Sequence, residues 1–514
     1  MDNSQSSKQI KIGIILSYIT LAVSNIIPFL YTPLMLSLLG QSEYGLYKIA
    51  GSTSSFLGLM SFGIGTALTR YLIKEKVEKG QEAEENVFGL FLLIFQILSF
   101  LVIALGAVLV FNLNYFYENS LSENEFKTIQ ILIAMMVVVS AISLSSSPYT
   151  TVVSAHERFI FLQVMNLVTT VLAPCLNIIV LLLGYKSIGL TVTSLLMIIV
   201  TRIIYIFYVR KKMHIKPRFN DLPTDIIKEI LFFSFWVFLG DIVNQLYNAT
   251  DIVIIGTVPG LATTGAAVYN IGTTFSTIIV GLSIVVPGFF KPRANKMVFS
   301  GASNQEMSDF FIKSGRFQAA IVFLFVSGFV AFGRQFINFY VGPDYKESYW
   351  VALLIMIPSC VPLVQSIGHS ILEARNLHKY RSIMYLVIAV INVVFTILLV
   401  DRYGIIGAAI PTGVASLLGP GFYMNWFYWK KVKLDIPRFW KNMLPFFIIN
   451  ALLCVIALIV SQWIDFYVVW KMAVGIIVYV LLYVFLLWKF VFDEDEKNIV
   501  RNTFKKLHLK KKTS

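Results

Sequence analysis

Charge is scarce in this chain. Of 514 residues only 14% are Asp, Glu, Lys or Arg, whereas 57% are hydrophobic and the mean hydropathy is +0.76. A soluble domain cannot bury that much apolar surface, so lipid is part of the solvent. Cysteine is scarcer still. Cys175, Cys360 and Cys454 lie inside apolar runs with no CxxC spacing and no neighbouring histidine, which excludes a disulfide framework or a zinc cluster and leaves them as packing residues. Enzyme motifs are missing: there is no P-loop, no HExxH, no GxSxG, and no acidic DxD-type cluster in a large loop of the kind a sugar transferase uses to hold a metal. The longest loops are too short for a catalytic domain. The chain therefore reads as a non-enzyme with no cofactor, and transport, if it occurs, is secondary or driven by a ligand gradient. No small-residue cleavage site follows Lys8 and Lys11 at the distance a secretory signal needs, so the first apolar stretch is expected to be a retained helix.

What is present is a series of apolar runs, near residues 12–39, 45–69, 86–112, 128–152, 159–184, 187–209, 229–256, 264–290, 317–341, 348–374, 381–401, 404–429, 441–463 and 467–492. As helices, runs of about twenty residues cross a hydrocarbon core of roughly 30 Å. The expected fold is all-α and integral to the membrane, with about fourteen transmembrane helices and both termini on one side. Lys and Arg test this count, because in short loops they mark the cytoplasmic face. With the N-terminus inside, cytoplasmic segments and helix ends hold 34 of the 42 Lys and Arg residues, outer segments hold seven, and Arg202 is left within the sixth span. The bias persists to the C-terminus, where Lys505 to Lys512 form a basic tail suited either to an anionic inner leaflet or simply to water.

The two sides of the Arg210–Arg218 loop repeat one another. LYTPLMLSLLG, from Leu30 to Gly40, parallels LYNATDIVIIG, from Leu246 to Gly256, at an offset of 216. LNIIVLLLGYKSIG, with Asn177 and Gly189, parallels INVVFTILLVDRYGIIG, with Asn392 and Gly407, at offsets of 215 and 218, and Lys211-Lys212 maps onto Lys430-Lys431 at 219. An even number of helices per repeat makes the copies enter from the same side, so the halves are expected to be two six-helix lobes related by a parallel pseudo-two-fold along the membrane normal. The expected organisation is a lobe over 1–212, a cytoplasmic linker over 213–228, a second lobe over 229–431, two additional helices over 432–492, and a basic cytoplasmic tail over 493–514. A transporter that rocks about a central cavity needs such a duplication; a channel or receptor does not.

Ionisable groups at membrane depth are costly and mark function. On span 7, Asp241, Asn244, Asn248 and Asp251 recur at i, i+3, i+7 and i+10, on one helical face. That face suits a hydrated cavity, with either carboxyl able to take a proton or Na⁺; the competing reading is a packing stripe satisfied between helices. The repeat sets Asn25 opposite Asp241, within a milder stripe of Ser17, Thr20, Ser24 and Tyr31. Cationic candidates for an anionic ligand are Lys48 and Arg70, which bracket span 2 at a spacing of 22 residues, together with Lys291, Arg334 and the deeper Arg202; snorkelling to the interface is the alternative. His369 and Glu373, four apart on span 10, form either a proton relay or a structural hydrogen bond.

The segments SLLGQSEYGLYKIA (37–50), MSFGIGTALTRYLIKE (60–75), YNATDIVIIG (247–256), FYVGPDYKES (339–348) and RYGIIGAAIPTGVA (402–415) resemble, in order and spacing, the oligosaccharide-lipid flippases of the polysaccharide transport family. Those flippases share the multidrug/oligosaccharidyl-lipid/polysaccharide exporter superfamily with lipid II flippases and multidrug and toxic compound extrusion proteins. The resemblance runs over most of the first twelve spans. It implies a two-lobe fold that opens alternately inward and outward, and a cargo of oligosaccharide repeat units on undecaprenyl pyrophosphate, destined for capsule, O-antigen or a related surface polysaccharide. It also implies that Asp251 occupies the family's acidic position, and that helices 13 and 14 form a groove for the lipid tail. Span 1 carries Asn25 and Pro28 but no charge, unlike the arginine-rich start of the lipid II flippases, which argues against lipid II as cargo. A cation-coupled multidrug antiporter of the same fold is the competing function, and a membrane-embedded sugar polymerase lacks its catalytic loop.

Overall fold

In lipid every backbone polar group must be satisfied within its own segment, and the chain answers with helices. A computed structural model describes residues 3–375, 377–498 and 501, and among them there are helices and no strands. The basic run Lys505 to Lys512 lies outside the described residues. Twelve of the described helices are long and apolar enough to cross a membrane, and the pair Ser348–Val364 and Ile367–Ala374, bent by 48°, makes a thirteenth crossing. One of the twelve, Lys379–Val432, is 54 residues long. At 1.5 Å per residue such a helix would run about 80 Å, more than twice the hydrocarbon thickness. Its backbone leaves helical geometry at Gly404 (φ 58, ψ −142), which divides it into two crossings and brings the total to fourteen.

The chain forms two compact units, residues 1–270 with 389–408, and residues 271–388 with 409–514. In the first unit the Gln81–Phe111 helix lies along Glu123–Ala155, which lies along Lys186–Phe207, while Asn3–Leu39 pairs with Phe159–Leu182. Phe88, Phe91 and Phe95 pack with Tyr149, Val152 and Tyr205 in one cluster. Ser122 starts the Glu123–Ala155 helix with a capping box: its hydroxyl accepts from the Glu125 N–H at 3.4 Å, and the Glu125 carboxylate accepts from the Ser122 N–H at 3.0 Å. The linker that follows the sixth crossing is held down. Arg218 donates through Nε to Glu85 at 2.8 Å and through a terminal nitrogen to Glu82, its N–H donates to the Glu85 carbonyl at 3.0 Å, and the Lys216 N–H donates to the Glu85 carboxylate at 3.3 Å.

In the second unit the Asn304–Val341 helix is the axis, packed against Ser348–Val364, Ile436–Val460 and Val469–Leu486. Its Arg316, 9% exposed, takes Glu496, 1% exposed, in a two-pronged pair at 2.6 and 2.8 Å. The same guanidinium donates to the Val491 carbonyl at 2.6 Å and lies over the Phe446 ring at 5.4 Å. The last membrane helix is thereby tied to the axis of the unit.

The sequence repeat reappears as local geometry. Lys211-Lys212 and Lys430-Lys431 both sit in π turns that begin with a tyrosine, Tyr208–Lys212 and Tyr428–Val432. The turns between crossings 5 and 6 and between 11 and 12 both pass through a glycine of positive φ, Gly184 at 85° and Gly404 at 58°.

Candidate functional site

The polar face of the seventh crossing is set by what its opposite face must touch. The Ile227–Asn248 helix docks on the second crossing, where the helix is broken between Phe56–Ser61 and Ile64–Lys79. At that break Gly63 has φ 68°, and a Cβ there would lie 2.7 Å from Val237 and 3.0 Å from the Ser234 carbonyl, so only glycine allows the approach. Phe62 meets Phe238 with ring centroids 5.0 Å apart, Arg70 covers Phe233 at 5.6 Å, and the Tyr71 hydroxyl donates to Glu229 at 2.9 Å. These contacts turn Asp241, Asn244 and Asn248 outward, and all three are exposed. Asn248 Nδ2 donates to the Asn244 side-chain oxygen at 2.7 Å and to its carbonyl at 2.8 Å, fixing the two amides as a pair.

Asp251 does not continue this face. The helix ends at Asn248, Ala249 is a stretched link at φ −116°, ψ −26° that still donates to the Gln245 carbonyl at 3.0 Å, and a short helix Thr250–Gly256 begins. The i+10 spacing presumed an unbroken helix. Asp251 is instead buried, 4% exposed, where Tyr269 donates to its Oδ2 and Thr396 Oγ1 donates to its Oδ1 at 3.3 Å. The stripe thus resolves into an open acid–amide face and a separate enclosed carboxylate.

Arg202, Lys48 and Arg70 are held by a hydroxyl and by aromatic rings. Arg202 is half-buried and donates to Ser145 Oγ at 2.7 Å, and the Ser145 hydroxyl donates in turn to the Ile142 carbonyl at 3.0 Å. Lys48, half-buried, lies 5.2 Å from the Tyr44 ring centroid, and Arg70 is exposed between Tyr71 and Phe233. None of the three forms an ion pair among the described residues. The 22-residue spacing of Lys48 and Arg70 spans the break at Phe62–Gly63, so it does not set them on one helical face. Asn25 is exposed and donates to the Leu21 carbonyl of its own helix at 2.7 Å. Glu373 pairs with Lys291 at 2.8 Å, whereas His369 lies half-buried on the Ile367–Ala374 helix. Arg334 stacks on Tyr349 and Trp350 at 5.0 and 4.8 Å. Among the described residues no group of three or more His, Cys, Asp or Glu is placed to hold a metal ion. In the second unit the last two crossings and Phe332 border a half-open apolar cavity of about 400 Å³, walled also by Leu453, Trp463, Trp470 and Val478, with Lys471 among its lining.

The crossings among the described residues, with a broken second helix and an interrupted seventh, define a multi-pass membrane protein. A lipid II flippase, MurJ, in an inward closed conformation superposes with a TM-score of 0.69 at 16% identity over 92% of this chain and 98% of its own. A multidrug resistance MATE family transporter in its inward-facing conformation gives 0.62 at 14% identity over 84% and 99%, and a Vibrio cholerae MATE transporter gives 0.54 at 15% over 84% and 99%. These relatives in fold are flippases and transporters rather than enzymes. The family described as polysaccharide biosynthesis protein matches residues 11–289, more than half of the 514, and the chain belongs to that family. No curated protein sequence matches the chain.

Proposed function

We propose that this protein moves oligosaccharide repeat units, linked to undecaprenyl pyrophosphate, across the cytoplasmic membrane for surface polysaccharide biosynthesis, by alternating access. The observation that carries this reading is membership of a polysaccharide biosynthesis family in a chain that shares its fold with a lipid II flippase. A glycan and two phosphates cannot cross hydrocarbon unaided, so they need hydrogen-bonding groups and cations inside the membrane while the polyprenyl tail stays in lipid. Arg202, Lys48 and Arg70, with no carboxylate partner among the described residues, are the groups that meet the pyrophosphate. Asp241, Asn244 and Asn248 offer carboxylate and amide contacts to sugar hydroxyls. Asp251, enclosed by Tyr269 and Thr396, takes the coupling proton or Na⁺. The polyprenyl tail follows the apolar cavity of the last two crossings. Both termini lie in the cytoplasm, and residues 1–212 and 229–431 act as the two lobes.

The same fold supports a cation-coupled multidrug antiporter, and a buried carboxylate such as Asp251 suits that chemistry. One experiment separates the two. A deletion strain is complemented with wild type, Arg202→Ala or Asp241→Asn, and scored for surface polysaccharide and for lipid-linked repeat units trapped on the cytoplasmic face. Accumulation inside, with the variants failing at normal membrane levels, supports the flippase. Unchanged polysaccharide with raised drug sensitivity replaces it by the antiporter.

A further inference from the structure

Residues 250–270 belong to the second sequence repeat, yet they fold onto the first. Their contacts gather at the side that the charge bias assigns to the outside. Glu125, the third residue of its helix, spends one carboxylate oxygen on its own cap, accepting from the Ser122 N–H at 3.0 Å. The other oxygen, Oε1, accepts from Ser42 Oγ at 2.5 Å and from Thr263 Oγ1 at 3.2 Å, and those two hydroxyls are 3.0 Å apart. One oxygen therefore joins the helix Gln41–Ser55, the helix Glu123–Ala155 and the start of Ala262–Phe299. Two further bonds flank it: the Tyr44 hydroxyl donates to Asn270 Oδ1 at 2.7 Å, and Ser120 Oγ donates to the Gly256 carbonyl at 2.8 Å. Between them a Cβ on Gly45 would overlap the Thr263 carbonyl oxygen, so the repeats meet here backbone to backbone. No cation pairs with Glu125 among the described residues. The contact consists of a few hydrogen bonds, the neutral ones shifting an equilibrium by roughly tenfold or less each and those to the carboxylate by roughly tenfold or more, so it favours one arrangement and still comes apart.

We propose that this contact is a latch, centred on Glu125 and seated on Gly45, that closes the outer end of the transport path and parts once in every cycle. The proposal rests on the alternating-access reading above and names the residues that regulate its outer opening. The test uses the full chain in right-side-out membrane vesicles, with Cys175, Cys360 and Cys454 replaced by alanine and a reporter Asn244→Cys on the polar face. A membrane-impermeant maleimide reads access from outside. Glu125→Ala and Gly45→Leu raise the labelling rate at least about tenfold, as expected for losing bonds of this strength, while Glu125→Gln, whose one carbonyl oxygen serves Ser42 and Thr263 at the cost of the Ser122 N–H, raises it less than Glu125→Ala. Without the reporter, Ser42→Cys with Thr263→Cys is oxidised to a disulfide; export stops and returns on reduction. Labelling that ignores Glu125→Ala in protein of normal abundance, or export through the disulfide-locked form, overturns the latch. Labelling that responds while polysaccharide does not supports the latch and rejects only the cargo.

Discussion

Removing one buried carboxylate, by Glu496→Ala, is expected to destabilise the second unit by about 3–5 kcal/mol, the cost of leaving a buried charge without its partner. Among the described residues Arg316 keeps the Val491 carbonyl at 2.6 Å, a long contact to the Asn442 carbonyl at 3.4 Å, the Phe446 ring and the nearby Asp493 charge once Glu496 is gone, and at 9% exposure it reaches little water. The Asp493 N–H, which donates to Glu496 at 3.0 Å, is stranded as well. Thermal unfolding of the detergent-solubilised protein, followed by tryptophan fluorescence, is expected to fall by roughly 6–20 °C, taking about 2–4 °C per kcal/mol for a unit of this size. The paired replacement Arg316→Met with Glu496→Leu removes both charges together and should recover most of the loss, because a well-packed apolar pair often matches a buried ion pair. The reasoning fails if the double variant falls as far as the single one, or if Glu496→Ala costs less than about 1 kcal/mol, the range of an exposed pair.

Gly63→Val combines a positive φ with a Cβ 2.7 Å from Val237; strain and overpacking of about 1–3 kcal/mol each should lower the yield of monodisperse protein in size-exclusion chromatography, and a wild-type profile would count against the docking described for the seventh crossing. Asp251→Asn retains an oxygen to accept from one of the two hydroxyls, Thr396 or Tyr269, and turns its amide N–H₂ towards the other, whose hydroxyl can rotate to accept, so the protein should reach the membrane at normal levels. Its export is expected to become indifferent to collapse of the H⁺ or Na⁺ gradient, measured with ionophores as surface polysaccharide formed over time, whereas wild-type export stops. Continued wild-type export after both gradients collapse would remove the coupling role.

The crossings were legible because the bilayer imposes a length on every helix, and the repeat because it fixes particular residues, such as the paired lysines that end in matching π turns. The breaks were not. Asn248-Ala249-Thr250 contains neither Gly nor Pro, so nothing in the sequence marks the interruption there. Gly63 was in plain view, but its reason is Val237, far along the chain. The same distance hid the partners of the charged residues: a spacing of four joined Glu373 to His369 on paper, whereas the ion pair runs to Lys291, 82 residues away. Tyr269 and Thr396 gave no signal as partners of Asp251, since a tyrosine and a threonine in apolar helices are unremarkable until the chain is folded.

The pinned linker changes how the second repeat is leashed to the first. Fourteen free residues over 213–226 would give a tether of roughly 45 Å when extended, long enough to leave the following helix unconstrained. With Lys216 and Arg218 fastened to Glu85 and Glu82, only the stretch from Phe219 to Pro223 remains before the next helical turn begins at Thr224. That is about 16 Å of chain. The helix that bears Asp241 therefore starts from a nearly fixed anchorage on the first repeat, and any swing of its outer half has to be taken up farther along, at joints such as Ala249.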